Sequence, residues 1–380
     1  MHRLEISLNQ EARSSEISIG AGVRRDLGNL IPFKAPRRIG IISNQRVFDL
    51  HGREVVRSLK SAGFKTFPWL MPEGERYKSF RSLEKAVNFL SETGFERDDL
   101  VMALGGGVVG DLAGFAAAIY LRGLRLVQVP TTLLSQIDSS VGGKTGINLP
   151  TGKNLVGAFH QPASVFIDTE TLATLPPREL TSGFCEMVKQ SLVADESLFE
   201  MTVNCLQNKC EMSSPEFEDL IAAQCAFKAS IVANDEREST NRSDTKSRRV
   251  LNFGHTTAHA LETVTNYRHF RHGEAVGYGM LVAAELSRNL GLIDAGELKL
   301  LRDAVRLCGR LPRADNLDLN QITGALKHDK KSVGGQINWV LLEGVGRPRI
   351  VEGRLISAKS LRLSLRAGLK ALERQKESFH

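Results

Sequence analysis

Apolar and polar positions along the chain follow two patterns in turn. Between residues 38 and 168, short apolar runs of strand length recur: 38–43 (RIGIIS), 65–70 (KTFPWL), 100–104 (LVMAL), 124–129 (LRLVQV) and 165–168 (VFID). Segments with helical spacing stand between them, at 53–62, 82–93 and 109–120. Runs apolar on both faces, alternating with helices, predict a parallel, doubly wound sheet. The first twenty residues read as a short strand pair. After a turn-rich link at 171–177 (TLATLPP) the spacing is helical almost throughout, apart from a strand candidate at 337–342. The pattern predicts an N-terminal α/β domain, residues 1–177, and a mainly α-helical domain, residues 178–380.

The stretch 100–157 is the densest in chemistry. A buried-strand pattern runs into Gly105-Gly106-Gly107 and then into a small-residue helix. Backbone without Cβ atoms lets a phosphate approach, and a helix N-terminus offers free N–H groups. Gly105, Gly107 and Gly110 satisfy the spacing of a dinucleotide fingerprint, although no acid follows about 20 residues later as a ribose partner. A tight strand–helix turn explains the glycines alone. Together with Asp111, Thr131, Thr132, Lys144 and Lys153, they favour a phosphate-bearing ligand. In a Rossmann-like parallel sheet, Asn44, the loop 71–78 with Glu75 and Lys78, the triple glycine and Thr131-Thr132 all fall at the carboxyl edge. Lys144 and Lys153-Asn154 lie on two polar, glycine-rich loops.

Composition narrows the picture. At 380 residues, 42% hydrophobic and 24% charged, the chain suits two globular domains. No run of 18 apolar residues suggests a membrane span, and the N-terminus has no apolar signal core. The net charge of +7 fits an anionic substrate. The basic residues are dispersed with few aromatics among them, which argues against nucleic acid. Five cysteines, an odd number without a C-x-x-C, suit reduced thiols in a cytoplasm.

A metal constellation stands in the second half. Helical spacing puts Glu179, Glu186, Lys189 and Gln190 on one face. His255 and His259 stand at i and i+4, and His272 begins a later helix. Three His/Glu ligands and one open position suit a catalytic zinc-type site. The four candidates Glu186, His255, His259 and His272 exceed that number, and spacing does not say which histidine stands aside. A buried histidine pair is the plainer reading, and the motif is not H-E-x-x-H. Lys228, Arg248, Arg249 and the cluster at 327–331 read as solvated charge, and 237–249 as a mobile surface loop.

Four motifs carry a resemblance: GGGVVGDLAGFAAAIYLRG, QVPTTLLSQIDSSVGGKTGINLPTGKNLVGAFHQP, LNFGHTTAHALE and RHGEAVGYGM. In this order they resemble the 3-dehydroquinate synthases, a family of sugar phosphate cyclases, from about residue 43 to 346. The resemblance implies an NAD-binding domain, a helical domain holding zinc or cobalt, and a homodimer. It implies conversion of 3-deoxy-D-arabino-heptulosonate 7-phosphate to 3-dehydroquinate and phosphate, a step of the shikimate pathway. Transient oxidation, phosphate elimination, re-reduction and an intramolecular aldol closure leave NAD unchanged overall. Glu73, Gly74, Glu75, Arg76, Tyr77, Lys78, Gly107, Val108, Val109, Gly110, Asp111, Thr131, Thr132, Lys144, Lys153, Thr171, Leu172, Ala173 and Thr174 would line the cofactor. The metal ligands would be Glu186, His255 and His272, leaving His259 for substrate or proton transfer. Asp138, Lys144, Asn154, Lys189, Lys228, Arg248, Asn252 and Lys330 match substrate-contacting positions. Arg122 matches an arginine that reaches a partner subunit's site.

The chain departs from the family pattern at Asn44, where Asp is frequent, at Phe184-Cys185, where small residues are usual, and in a longer loop after Lys228. Rival readings are a cyclase for sedoheptulose 7-phosphate, a metal-dependent polyol dehydrogenase that releases NADH, and a silent NAD- or metal-binding protein.

Overall fold

Alternate residues of the central strands turn to opposite faces of one sheet, and both faces are covered. A computed structural model of the chain describes residues 14–34, 37–239, 242, 244–328 and 337–372, with the side chains of 327 and 328 excepted. The first half holds β1 (Glu16–Ile19), α1 (Leu27–Leu30), β2 (Arg38–Asn44), α2 (Gln45–Val47), α3 (Arg53–Ser61), β3 (Lys65–Met71), α4 (Phe80–Glu92), β4 (Leu100–Gly105), α5 (Gly107–Ile119), β5 (Arg125–Pro130), β6 (Lys144–Leu149), β7 (Gly152–Phe159) and β8 (Ser164–Ile167). Six strands pair in the order β1-β8-β5-β4-β2-β3, every pairing parallel. Val101 and Ala103 of β4 pack with α4 and α5, while Leu100, Met102 and Leu104 pack on the other side with α1 and α3. This two-sided burial is why β4 reads as an unbroken apolar run. Pro68, which has no N–H for a ladder, sits on the edge strand β3.

The second half holds α6 (Pro177–Ala194), α7 (Glu196–Asn208), α8 (Pro215–Asn234), α9 (His255–Val264), α10 (His272–Asn289), α11 (Ala295–Leu307), α12 (Leu319–His328), β9 (Asn338–Leu342), β10 (Pro348–Glu352) and α13 (Ala358–Lys370). Pro177 and Pro215 open their helices at the first turn, where a missing N–H costs nothing. Asp195 and Asp294 cap α7 and α11. Helix α10 is buried along most of its length and packs against α6, α9, α11 and α13. It is the hub of the helical half.

Three sequence expectations differ from the structure. The two polar loops at Lys144 and Lys153 are an antiparallel hairpin, β6–β7, outside the main sheet. A second hairpin partner, β10, pairs with the expected strand β9. Residues 237–249 are not wholly a surface loop. Ser247 and Arg248 are buried, because the Asp235 carboxylate accepts the Ser239 and Arg248 backbone N–H groups and the Ser247 hydroxyl. Of the expected N-terminal strand pair, β1 is described, and residues 1–13 lie outside the described residues.

Candidate active site

Strands β4 and β5 end side by side, Gly105 of one beside Pro130 of the other. Helix α5 starts directly from β4 through Gly106, which caps it with no side chain. The first helical N–H groups are therefore open to an anion. The cradle has no room for side chains. A Cβ on Gly105 would lie 2.8 Å from Val109, and one on Gly106 or Gly107 would lie 3.0 Å from Thr132 or Ser139. Thr131 and Thr132 follow β5 on the same edge, and the Thr131 N–H donates to Gly105 at 3.0 Å. These residues fit a dinucleotide phosphate.

Of the other predicted cofactor residues, Lys78 reaches this cradle directly, Lys144 pairs with Glu238 and Lys153 with Glu262. Lys78 is buried and pairs with Asp111 and with the Asn154 amide oxygen. Burial pushes the Asp111 carboxyl up by more than Lys78 draws it down. Gly74 turns the 73–78 loop at a φ of 106°. Thr171 and Leu172 are buried, while Ala173 and Thr174 are exposed, and Thr174 meets His51 at 3.2 Å. Asn148, which the sequence did not single out, ties the parts together. Its amide donates to Glu75 Oε1 at 2.8 Å, its oxygen accepts the Asn154 N–H at 2.9 Å, and its backbone N–H donates to Lys78 at 2.8 Å. Asn44 accepts the Val47 N–H at 2.9 Å and caps α2.

In the helical half, α6, α9 and α10 bring Glu186, His255 and His272 together, with one ligand atom from each within 4.8 Å of the others. Glu186 is fully buried, and its Oε1 accepts no hydrogen bond. That oxygen lies 3.7 Å from His255 Nε2 and 3.4 Å from His272 Nε2. The His255 Nδ1–H points to the Phe253 carbonyl at 3.2 Å, and His272 Nδ1 lies 3.5 Å from Glu262 Oε1. Both rings thus turn Nε2 toward the orphaned oxygen. One carboxylate and two imidazoles fit a divalent ion. His259 sits one turn beyond His255, with ring centroids 5.6 Å and 6.3 Å from His255 and His272, and stands outside this triad.

A run of charged groups starts at the triad, with Lys189 on Glu186, and continues through Asp138 to Lys228. Lys189, fully buried, places its ammonium 2.7 Å from Glu186 Oε2. Burial draws this lysine down, but Glu186 and Asp138 outweigh it and hold the ammonium protonated. Lys228 on α8 pairs with the Asp138 carboxylate and backbone carbonyl. Burial pulls Lys228 down, and Asp138 offsets only part of this. Burial pushes Asp138 up, yet Lys228 and Lys189 hold it well below the usual carboxylate range. Arg248 is buried and donates to the Glu236 carbonyl at 2.8 Å, whereas Arg249 is half-buried. The Arg248 guanidinium lies so close to Gly142 that a Cβ there would be 2.6 Å from it.

The sequence reading missed Glu238. It pairs with Lys144 and accepts from the Asn252 amide at 2.8 Å, joining two predicted substrate residues. Its φ of 52° is unusual for a non-glycine residue and marks a constrained position. Lys330 lies outside the described residues. Arg122 stands apart from these groups, exposed on a turn where Leu121 and Arg122 both have positive φ.

Comparisons with known proteins give one family. The model described as 3-dehydroquinate synthase N-terminal matches residues 68–182, and that described as 3-dehydroquinate synthase C-terminal matches residues 183–332. A 3-dehydroquinate synthase of Thermodesulfovibrio yellowstonii is 40% identical over 354 residues, covering 92% of this chain and 96% of that protein. A 2-epi-5-epi-valiolone synthase from Streptomyces hygroscopicus subsp. jinggangensis, solved with NAD+ and Zn2+, superposes with a TM-score of 0.85 at 25% identity, covering 98% of this chain and all of that one. A 2-deoxy-scyllo-inosose synthase, solved with carbaglucose-6-phosphate, NAD+ and Co2+, has a TM-score of 0.80 at 26% identity, covering 93% of this chain and 96% of that one.

Proposed function

The chain belongs to the 3-dehydroquinate synthase family, and on that premise we propose how its residues divide the work. The reaction is conversion of 3-deoxy-D-arabino-heptulosonate 7-phosphate to 3-dehydroquinate and phosphate. The enzyme is a phosphate-eliminating lyase of the shikimate pathway that uses NAD and a divalent ion, zinc or cobalt. The observation that carries this reading is one juxtaposition. A buried carboxylate–dihistidine triad and a side-chain-free phosphate cradle are bridged by charged residues: Lys189 pairs with Glu186 and acts on Asp138, Lys228 pairs with Asp138, and the next residue, Ser139, is what a Cβ on Gly107 would meet.

Residues 1–177 form the cofactor domain in this reading, and residues 178–380 the metal domain. Gly107–Asp111, Thr131 and Thr132 hold the dinucleotide phosphates, with Lys78, Lys144, Lys153 and the 73–78 and 171–174 segments around them. Glu186, His255 and His272 hold the ion. When bound, the nicotinamide accepts and returns a hydride, and the ion polarises a substrate oxygen. The chain's own groups orient the substrate and manage its protons. Lys144 and Arg248 bind its anionic groups, and Asn154 and Asn252 supply amide contacts to its hydroxyls. Lys189 and Lys228, buried beside Asp138, fix the substrate against the triad. His259, next to the triad but outside it, moves a proton at its ring nitrogen.

The chain works as a homodimer in this reading. Ile119, Leu121, Leu155 and Phe159 are each at least 40% exposed around the end of α5 and along β7, a setting that suits a partner surface. The Leu121–Arg122 turn would present Arg122 to the partner's site. Among the described residues no helix is long and apolar enough to cross a membrane, and the five cysteines are free, which supports a cytoplasmic enzyme.

The structural relatives named for other products, a 2-deoxy-scyllo-inosose synthase and a 2-epi-5-epi-valiolone synthase, are 25–26% identical, whereas the dehydroquinate synthase is 40% identical. Phosphate release should therefore be measured with heptulosonate phosphate and with sedoheptulose 7-phosphate side by side. Turnover of the first with dehydroquinate as product supports the reading. Turnover of the second alone overturns it.

A further inference from the structure

Glu262 stands at the seventh position after His255 on α9, so it shares a helix face with both His255 and His259. It is 3% exposed. One of its oxygens, Oε1, faces two groups at once: Lys153 Nζ at 2.9 Å and His272 Nδ1 at 3.5 Å. Lys153 comes from the β6–β7 hairpin of the cofactor half, and His272 is the first residue of α10 in the helical half. The same ammonium lies over the Tyr267 ring, 4.4 Å from its centroid. Tyr267 in turn donates its backbone N–H to the Glu262 carbonyl at 2.8 Å, and Asn266 and Tyr267 close α9 with φ of 50° and 56°. Two successive left-handed non-glycine residues are an unfavourable turn, kept where the surroundings over-determine it.

His255 and His272 differ in how they are oriented. His255 has the Phe253 carbonyl, fixed by its own chain, as the acceptor for Nδ1. His272, half-buried at the first helical position, has the Glu262 carboxylate. An imidazole with no acceptor at Nδ1 can turn over or take the other tautomer, and either change removes Nε2 from the ion.

Resting on the metal site proposed above, we propose that Glu262 is a positioning residue. Its carboxylate holds His272 by Nδ1, so that Nε2 faces the divalent ion, and Lys153 and Tyr267 fix that carboxylate in place. The cofactor hairpin and one metal ligand are thereby tied to a single oxygen atom.

The test is zinc affinity by chelator competition, together with the visible spectrum of the cobalt(II)-loaded protein. Glu262→Ala should weaken zinc binding about 10- to 100-fold and alter the cobalt spectrum. Glu262→Gln, which keeps an acceptor for Nδ1–H, should recover part of the loss and guards against a folding defect in the alanine variant. In a His272→Ala background, Glu262→Ala should change zinc affinity by less than about threefold, since a group acting through His272 has nothing left to act on. Wild-type affinity and spectrum in Glu262→Ala would overturn the proposal. So would an equal loss in both backgrounds. Wild-type zinc affinity in His272→Ala alone would instead mean that the metal site itself is misassigned.

Discussion

Replacing Gly279 by alanine should loosen the metal triad from outside it. Helix α10 crosses the start of α9 with backbone against backbone. A Cβ on Gly279 would lie 1.9 Å from the Gly254 carbonyl oxygen, and Gly254 immediately precedes His255. Near the start of α10, a Cβ on Gly273 would lie 1.9 Å from the Ser182 carbonyl oxygen on α6, four residues before Glu186. These two crossings set the spacing of all three ligands. Relieving the 1.9 Å approach at Gly279 to an ordinary C···O contact near 3.3 Å requires about 1.4 Å of separation. Metal–ligand distances tolerate only about 0.2 Å, so the strain reaches the site. Overpacking of this kind costs about 1–3 kcal/mol. At roughly 2–4 °C per kcal/mol for a domain of this size, the melting temperature should fall by several degrees. Zinc affinity should fall at least about tenfold, as when the support of a metal ligand is disturbed. Thermal melting and chelator competition on Gly279→Ala measure the two effects. A variant with the wild-type melting temperature and zinc affinity would refute the reasoning. A lower melting temperature with unchanged zinc affinity would refute the link between the crossing and the site.

Two further outcomes follow from the same geometry. Lys144→Ala should lower kcat/KM for heptulosonate phosphate about 10- to 100-fold, the worth of a charge-assisted hydrogen bond, while the melting temperature stays near wild type because the side chain is about half exposed; an unchanged phosphate-release rate would contradict its role. Zinc affinity should rise with pH through neutrality: burial draws the His272 imidazole down, but Glu262 outweighs it and raises it above its ordinary 6.5, so below that raised value a proton competes with the ion and above it the ligand is free. Affinity that is flat from pH 6 to 8 would contradict this.

Much of the architecture was legible because the central strands are buried on both faces, which leaves unbroken apolar runs at β2, β4 and β5. The β6–β7 hairpin was not legible. Its residues are glycine-rich and half polar, three successive residues of β6 are buried and none of β7 is, so no alternating pattern marks it. Polarity was read as solvent exposure at 237–249, where the buried Asp235 instead gathers Ser247 and Arg248 inward. Within the site, the glycine turn and the His255/His259 pair stood out because their spacing is local. Which histidine stands aside was not a matter of spacing, since α10 brings in His272 from outside α9. Glu238 and Glu262 carried no local signal at all. Their meaning lies in contacts with Lys144 and Lys153, 94 and 109 residues away in the chain.

The most direct test of the central claim follows phosphate and NADH together in one reaction. Purified protein is given NAD, zinc or cobalt, and 3-deoxy-D-arabino-heptulosonate 7-phosphate. The account predicts one phosphate and one dehydroquinate per substrate consumed, with no lasting NADH absorbance, because the hydride taken up is returned. NADH accumulating in step with turnover, with no phosphate released, would mean a dehydrogenase and contradict the account.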